Sequence, residues 1–302
     1  MSEAPRKRIL INHWGTSLMV LSFMEVYVLR METHVLRLVE QRVDFAIAIF
    51  PYMTKQLPIK LNKEPLVEAI CQLQIVSKAA FNTFAPGYLL AKYPDDVSDI
   101  KQLPASMLPE HIRAQAPELA LAPLVSLKFK NVLVMIGERS ITVANPAPYL
   151  GWAGFKPLII EIFQSLLESK QALQVERYSL KYVNVLKATE APNSLSALDL
   201  SINIGQLKLN KMATTVRTET LTDELVTIIT LTGGVTVQTE GQAPIQGSLI
   251  DIDTICQTKA KDPEAFIATM SSELDRVRHV NKVTFFECLT EEAINELGPV
   301  FK

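Results

Sequence analysis

Between Pro65 and Ile75 the chain reads PLVEAICQLQI, in which apolar and polar residues alternate with a period of two. Val67, Ala69, Cys71, Leu73 and Ile75 fall on one side of an extended backbone, with Glu68, Gln72 and Gln74 on the other. That pattern predicts a half-buried antiparallel strand, and a strand with one apolar face folds only if sheet neighbours and a covering layer are supplied elsewhere. The rest of the chain supplies both. VSLKFKNVLVMI and RSITVAN (125–145) read as a hairpin turning at Gly137-Glu138, and VERYSLKYVNVL (175–186) as a further strand. ALDLSINI, TTVRTETL, ELVTIITL, GVTVQ and GSLIDIDTICQ follow as strands, with Gly233-Gly234 placed at a hairpin turn.

Two long helices interrupt the strands. Pro157 opens the first, with Ile159, Ile162, Phe163 and Leu166 on its buried stripe. Asp262 caps and Pro263 opens the second, with Phe266, Ile267, Met270, Leu274 and Val277 on one side. VTFFECL then reads as a last strand or extended piece, and Thr290 caps a short helix that Gly298-Pro299 stops. The stretch from Phe81 to Leu124 carries six prolines and can hold only short helices, one of them ending before Tyr93-Pro94. Hairpin strands with segregated helices make the fold class α+β, built on mainly antiparallel sheets with one long helix per half. The polar segment KATEAPNSLS divides residues 53–187 from 197–302, and the shared plan suggests two similar halves.

Residues 1–52 stand apart. They hold five Arg and one Lys, against six Arg and eighteen Lys in residues 53–302. No fold requires such a reversal, whereas translation from a start upstream of the natural one would produce it, which makes Met53 the expected start. Two other readings stay open. The basic Arg6, Lys7 and Arg8 precede an uncharged stretch from Ile9 to Met24, an anchor shorter than the ~20 residues a spanning helix needs. Val28, Leu29, Val35, Leu36 and Val39 recur near helical spacing, as in an amphipathic helix.

EPLVEAICQLQ, the helix ending at KYP (92–94), ERYSLKYVN (176–184), LIDID (249–253) and FFECLTEEAINELG (285–298) together resemble a family of sporadically distributed, uncharacterised bacterial proteins. Its members match residues 53–302 in length and begin shortly before the Pro-Leu-Val-Glu-Ala element. The resemblance implies no catalytic residues. A patchy distribution of this kind associates with defence or mobile-element genes.

Three constellations can carry chemistry. Asp251 and Asp253 share a strand face, as residues i and i+2 do, and with Glu68 they form a candidate carboxylate set for Mg²⁺ and metal-dependent hydrolysis. Tyr178, Tyr182 and Asn184 share a face of one strand and predict a ligand pocket lined by aromatic rings and an amide, or a core strand whose polar groups are satisfied internally. Arg177 and Lys181 align on the opposite face as a candidate anion site. The third constellation is His279 with Arg276, Arg278 and Lys282, cations placed at a helix end where the dipole favours them, or a local nucleic-acid patch.

With 30 basic and 32 acidic side chains the chain lacks the basic surplus of general nucleic-acid binding. Cys71, Cys256 and Cys288 sit apart in apolar runs, as reduced cysteines of a cytoplasmic protein do. No P-loop, GxGxxG, HExxH or GxSxG sequence occurs. The expectation is a non-catalytic binding or accessory protein without a cofactor. It would recognise a partner protein, a second copy of itself or a small ligand, with no membrane association unless residues 1–52 are translated.

Overall fold

One curved sheet organises the chain, and its order explains which predicted faces meet. The structure, a computed structural model, describes residues 8–11 (as backbone), 56–78, 81–116, 119–187, 195–202, 205–206, 214–239 and 244–301. Its strands are β1 (Arg8–Ile11), β2 (Lys60–Leu61), β3 (Leu66–Ser77), β4 (Val97–Gln102), β5 (Val125–Phe129), β6 (Val132–Ile136), β7 (Ser140–Pro146), β8 (Ala172–Lys187), β9 (Thr215–Thr222), β10 (Leu225–Thr239), β11 (Ile245–Lys261) and β12 (Pro299–Val300). The helices are α1 (Phe81–Lys92), α2 (Glu110–Gln115), α3 (Gly151–Glu168), α4 (Pro263–Glu287) and α5 (Glu291–Glu296). The large sheet runs β1-β10-β11-β8-β3-β7-β6-β5-β4, with β9 on the other part of β10's outer edge. All its pairings are antiparallel except β1 on β10. The α+β class read from the strand and helix pattern is the observed one.

The sequence boundary at 187–196 divides the chain but not the sheet. β8 of the first half pairs with β11 of the second, and one apolar cluster takes Cys71, Leu73 and Phe163 from one side and Phe266, Met270 and Leu274 from the other. One long helix per half holds only for α4, because the first half carries both α1 and α3. Of the leader, only Arg8–Ile11 is described, and the start-site, helix and anchor readings lie otherwise outside the described residues. Among the described residues no helix is long and apolar enough to cross a membrane.

Several local expectations change, each for a physical reason. β3 is buried on both faces rather than half-buried, since it lies centrally between β7 and β8 and Gln72 donates to Thr142 Oγ1 at 3.3 Å. A register shift between Leu66 and Glu68 breaks the alternation, so Val67 packs with Val183 and Val185 on the face opposite Ala69 and Cys71. Gly233-Gly234 marks no turn. Gly234 takes φ +72 at a register shift within a continuous β10, and the hairpin turns instead at Asp223, φ +55. VSLKFKNVLVMI is a hairpin by itself, turning at Lys130, and the described residues of ALDLSINI (197–202) form a bridge from Leu198 to Leu289 rather than a strand.

α3 starts at Gly151, not Pro157, whose ring lies on the exposed side of the helix. α4 continues through VTFFE because the buried stripe does not stop at Val277: Phe266, Met270, Leu274, Val277, Asn281 and Phe285 follow one another at helical spacing. Asp262 caps α4 by accepting from the amides of Glu264 and Ala265, and Thr290 caps α5 by accepting from Ala293 N, as the sequence indicates.

Candidate functional site

β8 presents two chemically different faces, and the predicted residues divide between them. Lys181, Arg177 and Val183 face away from the helices. Val183 pairs with Glu68 on β3 and with Asp251 on β11, so these two carboxylates flank it on the same face, about two strand spacings apart at the backbone (~10 Å). The three carboxylates read as candidate Mg²⁺ ligands do act on one cation, but it is the ammonium of Lys181. Its Nζ lies 2.7 Å from Asp251 Oδ2, and Asp253 stands 3.8 Å from Arg177. Burial works against the charge on Lys181, yet Asp251, Asp253 and Glu68 outweigh it and hold the ammonium above its usual range. Burial in turn raises Asp251 against the pull of Lys181. Burial thus favours the protonated form of Asp251, while the neighbouring carboxylates favour the charged form of Lys181. Among the described residues no three Asp, Glu, His or Cys side chains are grouped to hold a metal ion. Lys181 and Arg177 are thus arranged around carboxylates rather than as an open anion site.

The helix-facing side of β8 carries Tyr178, Tyr182 and Asn184, and the structure separates the first from the other two. Tyr178 is fully buried, its hydroxyl donating to Glu273, which also accepts from Arg276 Nη2 at 2.8 Å. Burial pushes this tyrosine's pKa up. For Glu273, burial raises the carboxyl, but the hydrogen bonds from Tyr178 and Arg276 hold it below the usual range. Arg276 is therefore part of a closed network.

Tyr182 and Asn184, further along the strand, line a cleft of about 110 Å³ between β8, the second half of α4 and the segment from Pro58 to Leu66. Three devices build it. Asn281 on α4 is fully buried and ties the helix to two strands, its amide nitrogen donating to Leu180 O at 3.1 Å and Ile252 O at 2.8 Å. A strap crosses the opening: β2 pairs with β12, Ile59 N donates to Val300 O at 2.8 Å, and Asn62 N to Gly298 O at 3.0 Å. Lys282 Nζ then fastens the strap to α4 by donating to Pro58 O. The third device is the approach to α3, where Tyr149 meets Tyr182 hydroxyl to hydroxyl at 3.1 Å.

Arg278 and Lys282 stand one turn apart on α4 and both line this cleft. Arg278 lies with its guanidinium 5.4 Å from the ring centre of Trp152, whose indole nitrogen donates to Asp275 at 2.8 Å. Like charges four residues apart on a helix repel. Burial, and then Arg278, lower the pKa of Lys282, with only Glu64 acting the other way. Glu64 is an exposed residue whose carboxyl lines the mouth. Partial burial raises it against the pull of Arg278 and Lys282. Burial pushes Tyr149 up to about 12 and Tyr182 well above the ordinary phenol, so both hydroxyls keep their protons at neutral pH.

The chain matches no family model and no curated protein. Roles must therefore come from the geometry. Of the residues that the sequence placed on a pocket or core face, Tyr182 and Asn184 line this cleft, and Tyr149, Asn281 and Glu64, which also line it, were not singled out as pocket residues. Sequence reasoning read Arg278 and Lys282 as helix-end cations, but α4 runs on to Glu287, so they lie in its second half, beside the cleft. His279 points to solvent. A polar Asn at a stripe position was the one available signal, because a buried amide must have partners.

Proposed function

We propose that the protein is a non-catalytic binding protein whose cleft between β8 and α4 holds a small anionic ligand. The observation that carries this reading is the pair Arg278 and Lys282. They are two cations one helical turn apart that both line one partly buried cleft; among the described residues neither has a carboxylate within ion-pair distance, Glu64 and Asp275 acting on them from further away. Such a pair is electrostatically unfavourable by itself and is relieved by a negative group placed between the two. Arg278 is held ready by Trp152, and Lys282 by the strap, so little ordering is left to occur on binding. The walls suit the organic part of such a ligand: Tyr149, Tyr182, Leu66, Phe285 and Phe286 surround the cations. The volume limits its size, since about 110 Å³ corresponds to roughly four waters at about 30 Å³ each.

Trp152 touches Arg278 and so reports on the site. In a Trp14→Phe background, titration with inorganic phosphate and with 4-methylpentanoate is expected to give a saturable change in tryptophan fluorescence. Arg278→Gln should weaken it at least about tenfold, the loss of one charged hydrogen bond. Absence of saturable binding by either probe, or binding unchanged in Arg278→Gln, overturns the proposal.

A further inference from the structure

We infer that the ligand of this cleft carries a hydroxyl beside its anionic group, as a small 2-hydroxy acid does; this rests on the anion-binding reading above. The inference comes from Asn281. Both hydrogens of its amide nitrogen are used, on Leu180 O and Ile252 O. That fixes the orientation of the amide, because a flip would set its oxygen against two carbonyl oxygens. Asn281 lines the cleft, and its Oδ1 is held as an acceptor that is buried and receives no hydrogen bond. A buried acceptor without a donor is rare in folded proteins and marks a place where something else is bound.

Position and charge then narrow the donor. Asn281 lies three residues after Arg278 on α4, so their side chains start roughly 5–6 Å apart on adjoining parts of one helix face. Both residues line the same cleft, so a ligand whose anion meets Arg278 carries its neighbouring substituent along the wall that holds Asn281. An ammonium donor would sit beside Arg278 and Lys282 and be repelled, whereas a hydroxyl brings a proton without a charge. The Tyr149–Tyr182 pair adds a second partner. One of these hydroxyls donates to the other, which leaves one proton for an oxygen of the ligand. Leu66, Phe285 and Phe286 complete the site as walls for a short branched hydrocarbon tail.

The test compares 2-hydroxy-4-methylpentanoate with 4-methylpentanoate, which differ by the one hydroxyl, using Trp152 fluorescence in the full-length Trp14→Phe protein. The hydroxy acid is expected to bind at least about tenfold more tightly, in line with the penalty for leaving a buried polar group unpaired. In Asn281→Leu, with folding checked by circular dichroism, the ratio of the two affinities should fall to about one. Equal binding of the two acids to the protein carrying Asn281 overturns this inference and leaves the anion site standing, and it does so without recourse to the variant. If neither acid nor phosphate binds, the anion site itself is wrong and the inference falls with it. A hydroxyl preference that survives in Asn281→Leu also overturns it, since the donor then meets another group.

Discussion

Replacing Lys181 by Met tests whether the carboxylates on the open face of the sheet are held together by an internal cation. Lys181→Met keeps most of the side chain's length and removes its charge. It leaves Asp251, whose oxygen is 2.7 Å from the ammonium, facing Asp253 and Glu68 without their shared counter-charge. Breaking a fully buried ion pair costs about 3–5 kcal/mol. The side chains of Lys181 and Asp251 keep 18% and 13% of their exposure, so solvent screens part of that, and about 3 kcal/mol is the expected loss. For a chain of this size that lowers Tm by roughly 6 °C.

The pH dependence separates charge from packing. Asp251 already has a folded pKa above its unfolded value of 3.8, and without Lys181 it rises further. A carboxyl that is more basic in the folded state binds more protons there, so the variant loses stability as pH rises through the window between the two values. The deficit against the parent protein should be largest at about pH 8 and shrink towards about pH 4. Urea unfolding followed by circular dichroism at a series of pH values measures it. A deficit below about 1 kcal/mol, or one of equal size at acid and neutral pH, would refute the reasoning. The double variant Lys181→Met with Asp251→Leu should recover part of the loss, because an apolar pair avoids desolvating two charges.

Two further outcomes follow from the same structure. Glu273→Gln removes the negative charge of the group that accepts from Tyr178 and Arg276 and is expected to cost about 2 kcal/mol at neutral pH. Because the folded pKa of Glu273 is depressed, that contribution exists above the unfolded value of 4.5 and disappears as pH falls through the folded one; parent and variant stabilities should converge in acid urea titrations. Gly298→Ala puts a side chain at φ +63 with its Cβ 3.2 Å from Asn62 Cβ, so it should cost about 1–2 kcal/mol and loosen the strap. Amide exchange at Ile59, Asn62 and Lys63 should then accelerate, and exchange rates unchanged from the parent would show that the strap does not depend on this glycine.

The strands, the caps and the chemistry of the β8 faces were legible because each is a local property. Alternation over 175–186 places Tyr182 and Asn184 on one face and Arg177 and Lys181 on the other in any sheet, and the observed β8 keeps that division. Asp262 and Thr290 cap helices for reasons contained within four residues. Errors came where a residue has two local meanings. Gly233-Gly234 serves a turn or a bulge equally well, and the pairing of β10 with β11 on both sides of it selected the bulge. VTFFE suits a strand or a helix, and burial of Phe285 and Phe286 against Leu198, Ile250 and Leu289 selected the helix.

The sequence by itself determined an α+β chain, the two faces of β8 and the helix caps, all set by periods of two and 3.6 residues that need no knowledge of distant neighbours. The tertiary structure alone decided what those faces confront. No local pattern pairs residues 224 positions apart, yet the cleft exists only because Lys282 reaches Pro58 across that separation and Tyr149 is brought to Tyr182. It likewise made three carboxylates, which read as metal ligands, into partners of Lys181, since β8 runs between the strands that carry them. Which charge lies opposite which is a matter of strand order, and strand order is fixed by long-range burial rather than by any local pattern.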